Sequence, residues 1–242
     1  MKMSKLTTII ATSLLTLGLA TPVMAASWDS TATVSFTDPS SVTTPLDPND
    51  AATELTGSGT TNQSGSLTID YASKLDFGQR TTSNTQEQTF NAKTDTVQID
   101  GIDGSVKRSN FVQVTDKRGG GLGWQLAVKQ SLPFKNGEEH QMTGTKILFN
   151  DRAVLGTESG QEPTMVGGNV TVLDDGANVK LLNAPTGKGT GTTIHRFGGE
   201  VTGTEQEETT GVQLVVPAGA ARAGTYNGTL TWTLEDTPDE AV

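Results

Sequence analysis

The chain has 242 residues with 27 acidic against 17 basic side chains, a formal net charge of −10, no cysteine, 28 glycines and 40 threonines. The missing cysteines exclude a disulfide framework, a zinc-thiolate centre and a thiol nucleophile. A pI near 4.6 lacks the basic footprint of a nucleic-acid binder.

In chain order, Lys2 and Lys5 precede an apolar run from Leu6 to Val23, and Val23 and Ala25 suit the −3 and −1 subsites of a signal peptidase. This pattern predicts a secretory signal peptide over residues 1–25. Removing its two lysines takes the formal charge from −10 to −12. No later apolar stretch approaches the roughly 20 residues of a membrane-spanning helix, and there is no LPxTG-like sorting signal. An exported protein without covalent or membrane attachment is expected.

Residues 26–242 are expected to form one domain. Ala32, Val34 and Phe36 alternate with Thr31, Thr33 and Ser35, predicting a half-buried strand over 27–37. Prolines 39, 45 and 48 and a Thr/Gly/Ser run then predict a flexible loop at about 38–65. Further strands are expected at 66–71, 88–91, 96–99, 111–115 and within 119–130. Others are expected at 146–150, 169–173, 178–182, 193–197, 212–216 and 226–235. About a dozen short strands separated by Gly, Asn, Asp and Pro turns predict an all-β, sandwich-like fold, mostly antiparallel. The Thr/Glu run at 203–210 reads as a solvated loop.

Catalytic and metal chemistry find little support in the residues. His140 lies in a polar turn and His195 in an expected strand. No Gly-x-Ser-x-Gly elbow and no zinc-binding histidine spacing is present. The glycines at 119–123 lead into a strand, and Gly187-Lys188-Gly189 lacks the spacing of a phosphate loop. Asp100 and Asp103, like Asp174 and Asp175, stand beside glycines as calcium loops do. They lack the twelve-residue spacing and closing Glu of an EF-hand, and Asx-Gly turns look the same. Neither an enzyme nor a cofactor is expected.

Two segments share a theme: Gly-Leu-Gly-Trp124-Gln-Leu126 and Thr-Leu-Thr-Trp232-Thr-Leu234. Phe111-Val-Gln-Val-Thr-Asp-Lys-Arg-Gly-Gly precedes the first. Val212-Gln-Leu-Val-Val-Pro217-Ala-Gly and Ala223-Gly-Thr-Tyr226 precede the second. Together with the Trp28 segment, Thr-Thr-Pro-Leu-Asp-Pro at 43–48, Leu67-Thr-Ile-Asp-Tyr and Leu75-Asp-Phe-Gly, the chain resembles the WxL cell-wall-binding domain of Gram-positive bacteria over nearly its whole mature length. The resemblance implies a secreted protein held non-covalently on the peptidoglycan surface, often in complexes with other cell-surface proteins. Two alternatives stay open: an interaction subunit binding a neighbouring surface protein, and an adhesin for host matrix.

Within each motif the Trp shares strand parity with its Leu, and Gly123, Gln125, Thr231 and Thr233 take the opposite parity. Trp124, Leu126, Trp232 and Leu234 therefore point together, either into a core or onto a binding platform. The acidity adds a condition. A protein this negative is repelled by an anionic wall, though screening confines the repulsion to about 8–10 Å at physiological salt, so attachment must come from short-range recognition, divalent bridging or carboxylate protonation.

Overall fold

A computed structural model describes residues 27–56 and 61–239. The chain divides into two units, Met1–Phe36 and Thr37–Val242. The expected signal peptide at 1–25 lies outside the described residues. In the first unit, 27–36 form no strand, contrary to expectation, and Trp28, Val34 and Phe36 are 93%, 72% and 87% exposed. Alternation makes a segment competent to be a strand, but the ladder needs a second backbone. This segment pairs with none among the described residues.

The second unit is all-β. Among the described residues there is no helix, hence none long and apolar enough to cross a membrane. Its strands are β1 (Leu55–Thr56), β2 (Leu67–Ala72), β3 (Gln88–Lys93), β4 (Asp95–Ile99), β5 (Ser105–Arg108), β6 (Phe111–Asp116), β7 (Trp124–Lys135) and β8 (Lys146–Phe149). They continue as β9 (Arg152–Gly156), β10 (Thr164–Met165), β11 (Val170–Leu173), β12 (Val179–Ala184), β13 (Gly191–Phe197), β14 (Glu208–Val216) and β15 (Asn227–Glu235). They pair antiparallel in four small sheets, ordered β1-β4-β5, β10-β12-β7-β15, β11-β8-β14-β3 and β2-β6-β13-β9. The short strands β1, β5, β9 and β10 lie outside the expected set.

The sheet β2-β6-β13-β9 is buried on both faces in its middle. Val112 and Val114 join the main core with Trp124, Phe149 and Phe197, while Phe111, of opposite parity, joins Tyr71, Ile99 and Ile194 in a second core. Tyr71 and Phe111 stack with centroids 4.3 Å apart. Such two-sided burial is why β6 reads as an unbroken buried run.

The stretch 38–65, expected as a flexible loop, is tied down through its middle. Arg108 forks onto Asp47 with bonds of 2.7 and 2.8 Å, both side chains less than a tenth exposed. The Leu46 N–H donates to Gln113 Oε1 at 2.7 Å, and Leu55 and Ala51 complete the second core. Prolines 45 and 48 do exclude a central strand. They also stiffen the turn that carries Asp47 to its partner, and an ion pair supplies the order that apolar periodicity does not announce.

Candidate functional site

The two Trp-x-Leu segments occupy neighbouring antiparallel strands. In the β7–β15 ladder Leu126 faces Leu234 and Val128 faces Trp232, while across β7 on its other side Trp124 faces Ala184. β7 runs on through Pro133, which has no N–H, and the β15 register shifts opposite it between Asn227 and Thr229.

The two indoles meet different fates. Trp124 is completely buried, and its Nε1–H donates to Gly189 O at 2.9 Å. Two glycines make that close approach possible. A Cβ on Gly189 would lie 2.4 Å from Trp124 Nε1, and one on Gly123 would lie 2.4 Å from Ala184 O; both have positive φ. Leu126 is equally buried. Trp232 is only half-buried, as is Leu234. Phe197 stacks on Trp232 at 6.1 Å and Phe149 meets it edge-on at 5.9 Å, so its indole is held from one side.

Trp232 also borders a cleft of about 370 Å³, with Leu75, Phe77, Gln130, Phe134 and Leu230 among its other walls. A wider groove of about 890 Å³ shares Leu75, Phe77 and Phe134 and brings in Arg80, Phe90 and Tyr226. The charges along the two hollows run against the protein's net sign. Lys74, Arg80 and Arg222 line them with a single acid, Asp76. Lys93 bonds Asp76 at 2.8 Å and holds its carboxyl below the usual carboxylate range. Arg80 lies over the Phe90 ring at 5.6 Å while pairing with Glu208.

The remaining candidate side chains lie elsewhere. His195 is sealed in the interior, with Arg152 Nε donating to its Nε2 at 3.0 Å. Burial, and then the Arg152 charge, push its pKa well below the ordinary histidine value. Arg152 is itself lowered to about 10 by burial, its guanidinium donating to the carbonyls of Val166, Gly168 and Leu181. These contacts make a packing unit. The His140 ring bonds Ala220 O at 3.0 Å beside Tyr226. The Asp175 carboxylate accepts the Ala177 N–H as an Asx turn does, and the Asp174 carboxylate accepts the Gly144 N–H from a distant turn. Asp100 and Asp103 sit exposed in the turn between β4 and β5. Among the described residues no three His, Cys, Asp or Glu gather as a metal-holding group.

Of the residues around the cleft, the second Trp-x-Leu segment supplies Trp232 and Leu230, and the segment Leu75-Asp-Phe-Gly supplies Leu75 and Phe77, though nothing local shows that they meet. Phe77, Gln130 and Phe134 come from distant chain positions. One signal for Gln130 does exist in the sequence: a polar residue at the parity of Trp124, Leu126 and Val128 on β7 must enter the interior.

Comparison with known families agrees with this geometry. Residues 24–238 match the family described as WxL domain surface cell wall-binding. No curated protein and no solved structure matches the chain. Two Trp-x-Leu strands paired side by side, in a chain matched over most of its length, make this protein a member of the WxL domain surface cell wall-binding family, located at the cell surface in association with the wall.

Proposed function

We propose that the chain attaches non-covalently, and without catalysis, to the peptidoglycan of the wall, and that the cleft beside Trp232 makes the contact. One observation carries this reading: of the two motif indoles, one is sealed by a hydrogen bond to Gly189 and the other borders a cleft walled by Leu75, Phe77, Phe134, Ile147 and Leu230. Ligand sites are concave, mostly apolar and furnished with a few placed polar groups. The basic residues Lys74, Arg80 and Arg222 beside it ease the approach of an acidic protein to an anionic polymer. The test is a pull-down on purified, protein-free peptidoglycan with the wild type, a denatured control and Thr229→Arg. Thr229 is exposed at the cleft mouth, so the arginine obstructs entry without disturbing the core. Retention of the wild type and loss in the variant are expected; equal retention of both would move the contact elsewhere.

A second reading, attachment through a partner surface protein, draws on β15. This nine-residue strand is the outer member of its sheet and carries no Lys, Arg or Pro. Such an edge can accept a strand from another chain. Binding to intact cell surfaces with none to protein-free peptidoglycan would favour it.

A further inference from the structure

The cleft beside Trp232 holds one polar group whose bonding is incomplete. Gln130 is 2% exposed and stands at the inward parity of β7, lining the cleft with Ile147, Phe134 and Trp232. Its amide nitrogen donates to Leu132 O at 3.4 Å, a long bond, and its Oε1 has no hydrogen-bond partner. Buried side-chain acceptors are satisfied in the great majority of native sites, and an orphan bordering a cleft calls for a donor from outside.

The surroundings limit what that donor can be. Gln130 offers a neutral acceptor and lines the cleft with the buried side chains of Ile147 and Phe77, which make its apolar floor. An ammonium would lose its hydration there against an uncharged partner. A secondary amide N–H loses far less and can carry a small apolar group onto that floor. Beside it, the part of the Trp232 indole not covered by Phe197 and Phe149 offers a flat apolar surface for the C–H face of a sugar ring. At about 370 Å³ the cleft suits one sugar residue rather than a long oligomer.

We infer that Gln130 Oε1 accepts the acetamido N–H of an N-acetylated amino sugar, with the sugar ring against Trp232 and the acetyl methyl over Ile147 and Phe77. This rests on the wall-binding reading and names the part of the polymer that the cleft takes. A peptide bond presents the same N–H, so the chemistry in common is a secondary amide with a small apolar substituent. A terminal methyl can end on the floor of the cleft, whereas a peptide chain must continue past it. The glycan is therefore the source assigned.

The full chain is titrated calorimetrically with an N-acetylglucosamine trimer, with its deacetylated counterpart and with an N-acetylated alanyl peptide. Saturable binding of the acetylated trimer is expected, weakened about tenfold or more on deacetylation. Gln130→Met keeps the side-chain volume and removes the acceptor. It is expected to weaken trimer binding by a similar factor while leaving thermal stability unchanged or raised, which a purely structural glutamine would not do. Equal affinity for the two trimers, or binding of the peptide alone, overturns the inference, and the ligand comparison needs no variant to fold. A wild type that is retained on peptidoglycan but binds neither trimer also overturns it while leaving wall attachment standing. Failure of both retention and titration removes the two together.

Discussion

Leu126 and Leu234, the leucines of the two Trp-x-Leu segments, face each other as one registered pair across β7 and β15. Their tryptophans fall on opposite sides of that pair along the ladder, Trp124 towards β12 and Trp232 opposite Val128. The recurrence of the motif is thus a local fact of sheet pairing: two strands meet through the same residue type, and each extends an indole from the same face. One indole closes the core and the other stays at its margin.

Trp124 is accordingly a residue of stability. Trp124→Ala removes a fully buried indole, and we expect a loss of about 3–5 kcal/mol in urea unfolding. Trp124→Phe keeps much of the packing but strands the Gly189 carbonyl, at about 1–3 kcal/mol. Gly189→Ala should be about as damaging as the larger substitution, because its Cβ would fall on Trp124 Nε1. A stability change below about 0.5 kcal/mol in Trp124→Ala would remove the packing role.

Trp232 is expected to behave differently. Being half-buried, it should lose about 2 kcal/mol on truncation to Ala, less than a fully buried indole. Its wall retention, measured where both proteins are fully folded, should fall more than that stability loss accounts for. Retention equal to wild type under those conditions would leave Trp232 as packing only.

The Asp47–Arg108 pair gives a third test. Both charges are buried, so Asp47→Ala leaves an unpaired guanidinium and should cost about 3–5 kcal/mol. Replacing both, Asp47→Ala with Arg108→Met, should recover much of that loss, since the uncompensated charge is gone. Proteolysis of the 45–56 stretch would report the same order: faster cleavage in the single variant, intermediate in the double. If the single variant melts like wild type, the pair does not hold the stretch.

What the sequence made legible follows from what periodicity can express. Alternating apolar runs located β2, β6, β7, β8 and β13, because each buries one parity or both, and β15, where Leu230, Trp232 and Leu234 are half-buried. The shared face of each Trp and its Leu followed from the same rule, which leaves open whether that face meets a core or solvent. The two-residue strands β1 and β10 offer too few residues for a period to develop. The 45–56 stretch is ordered by a charge pair 61 positions apart and a glutamine bond 67 positions apart, which no local pattern records. The cleft was hidden for the same reason, since Phe77 and Gln130 meet only once the chain through β3, β4, β5 and β6 has folded back. At 27–36 the pattern of a strand is present and the ladder is not.

His195 predicts the pH dependence of stability. Its folded-state pKa lies well below the ordinary value of 6.5 because burial disfavours the imidazolium, and Arg152 adds repulsion. Below pH 6.5 the unfolded chain takes up a proton that the folded chain refuses. The contribution is therefore present above that pH and lost as pH falls through the window below it, on the order of 1 kcal/mol. Asp95 works in the opposite sense at lower pH, its carboxyl pushed up by burial so that the folded state binds its proton first. Urea unfolding at pH 7.5 and 5.5 should show the loss in wild type and little of it in His195→Gln, whose amide can still accept from Arg152. Parallel behaviour of the two proteins would reject the assignment.

Wall retention should respond to pH with the opposite sign. The chain carries a formal charge of −10, and protonation of its many exposed carboxylates as pH falls toward 4.6 removes repulsion from an anionic wall. Retention on intact walls should therefore rise between pH 7.5 and 5, and raising salt at pH 7.5 should produce part of the same gain by screening. The His195 effect runs against this within the same window, so a fall in retention at pH 5 could arise from unfolding alone. Carrying out the pull-down with His195→Gln separates the two: if repulsion controls attachment, the variant gains retention at least as steeply as wild type. A flat profile in that variant, together with no salt effect at pH 7.5, would leave contact chemistry at the cleft, and not net charge, as the control of attachment.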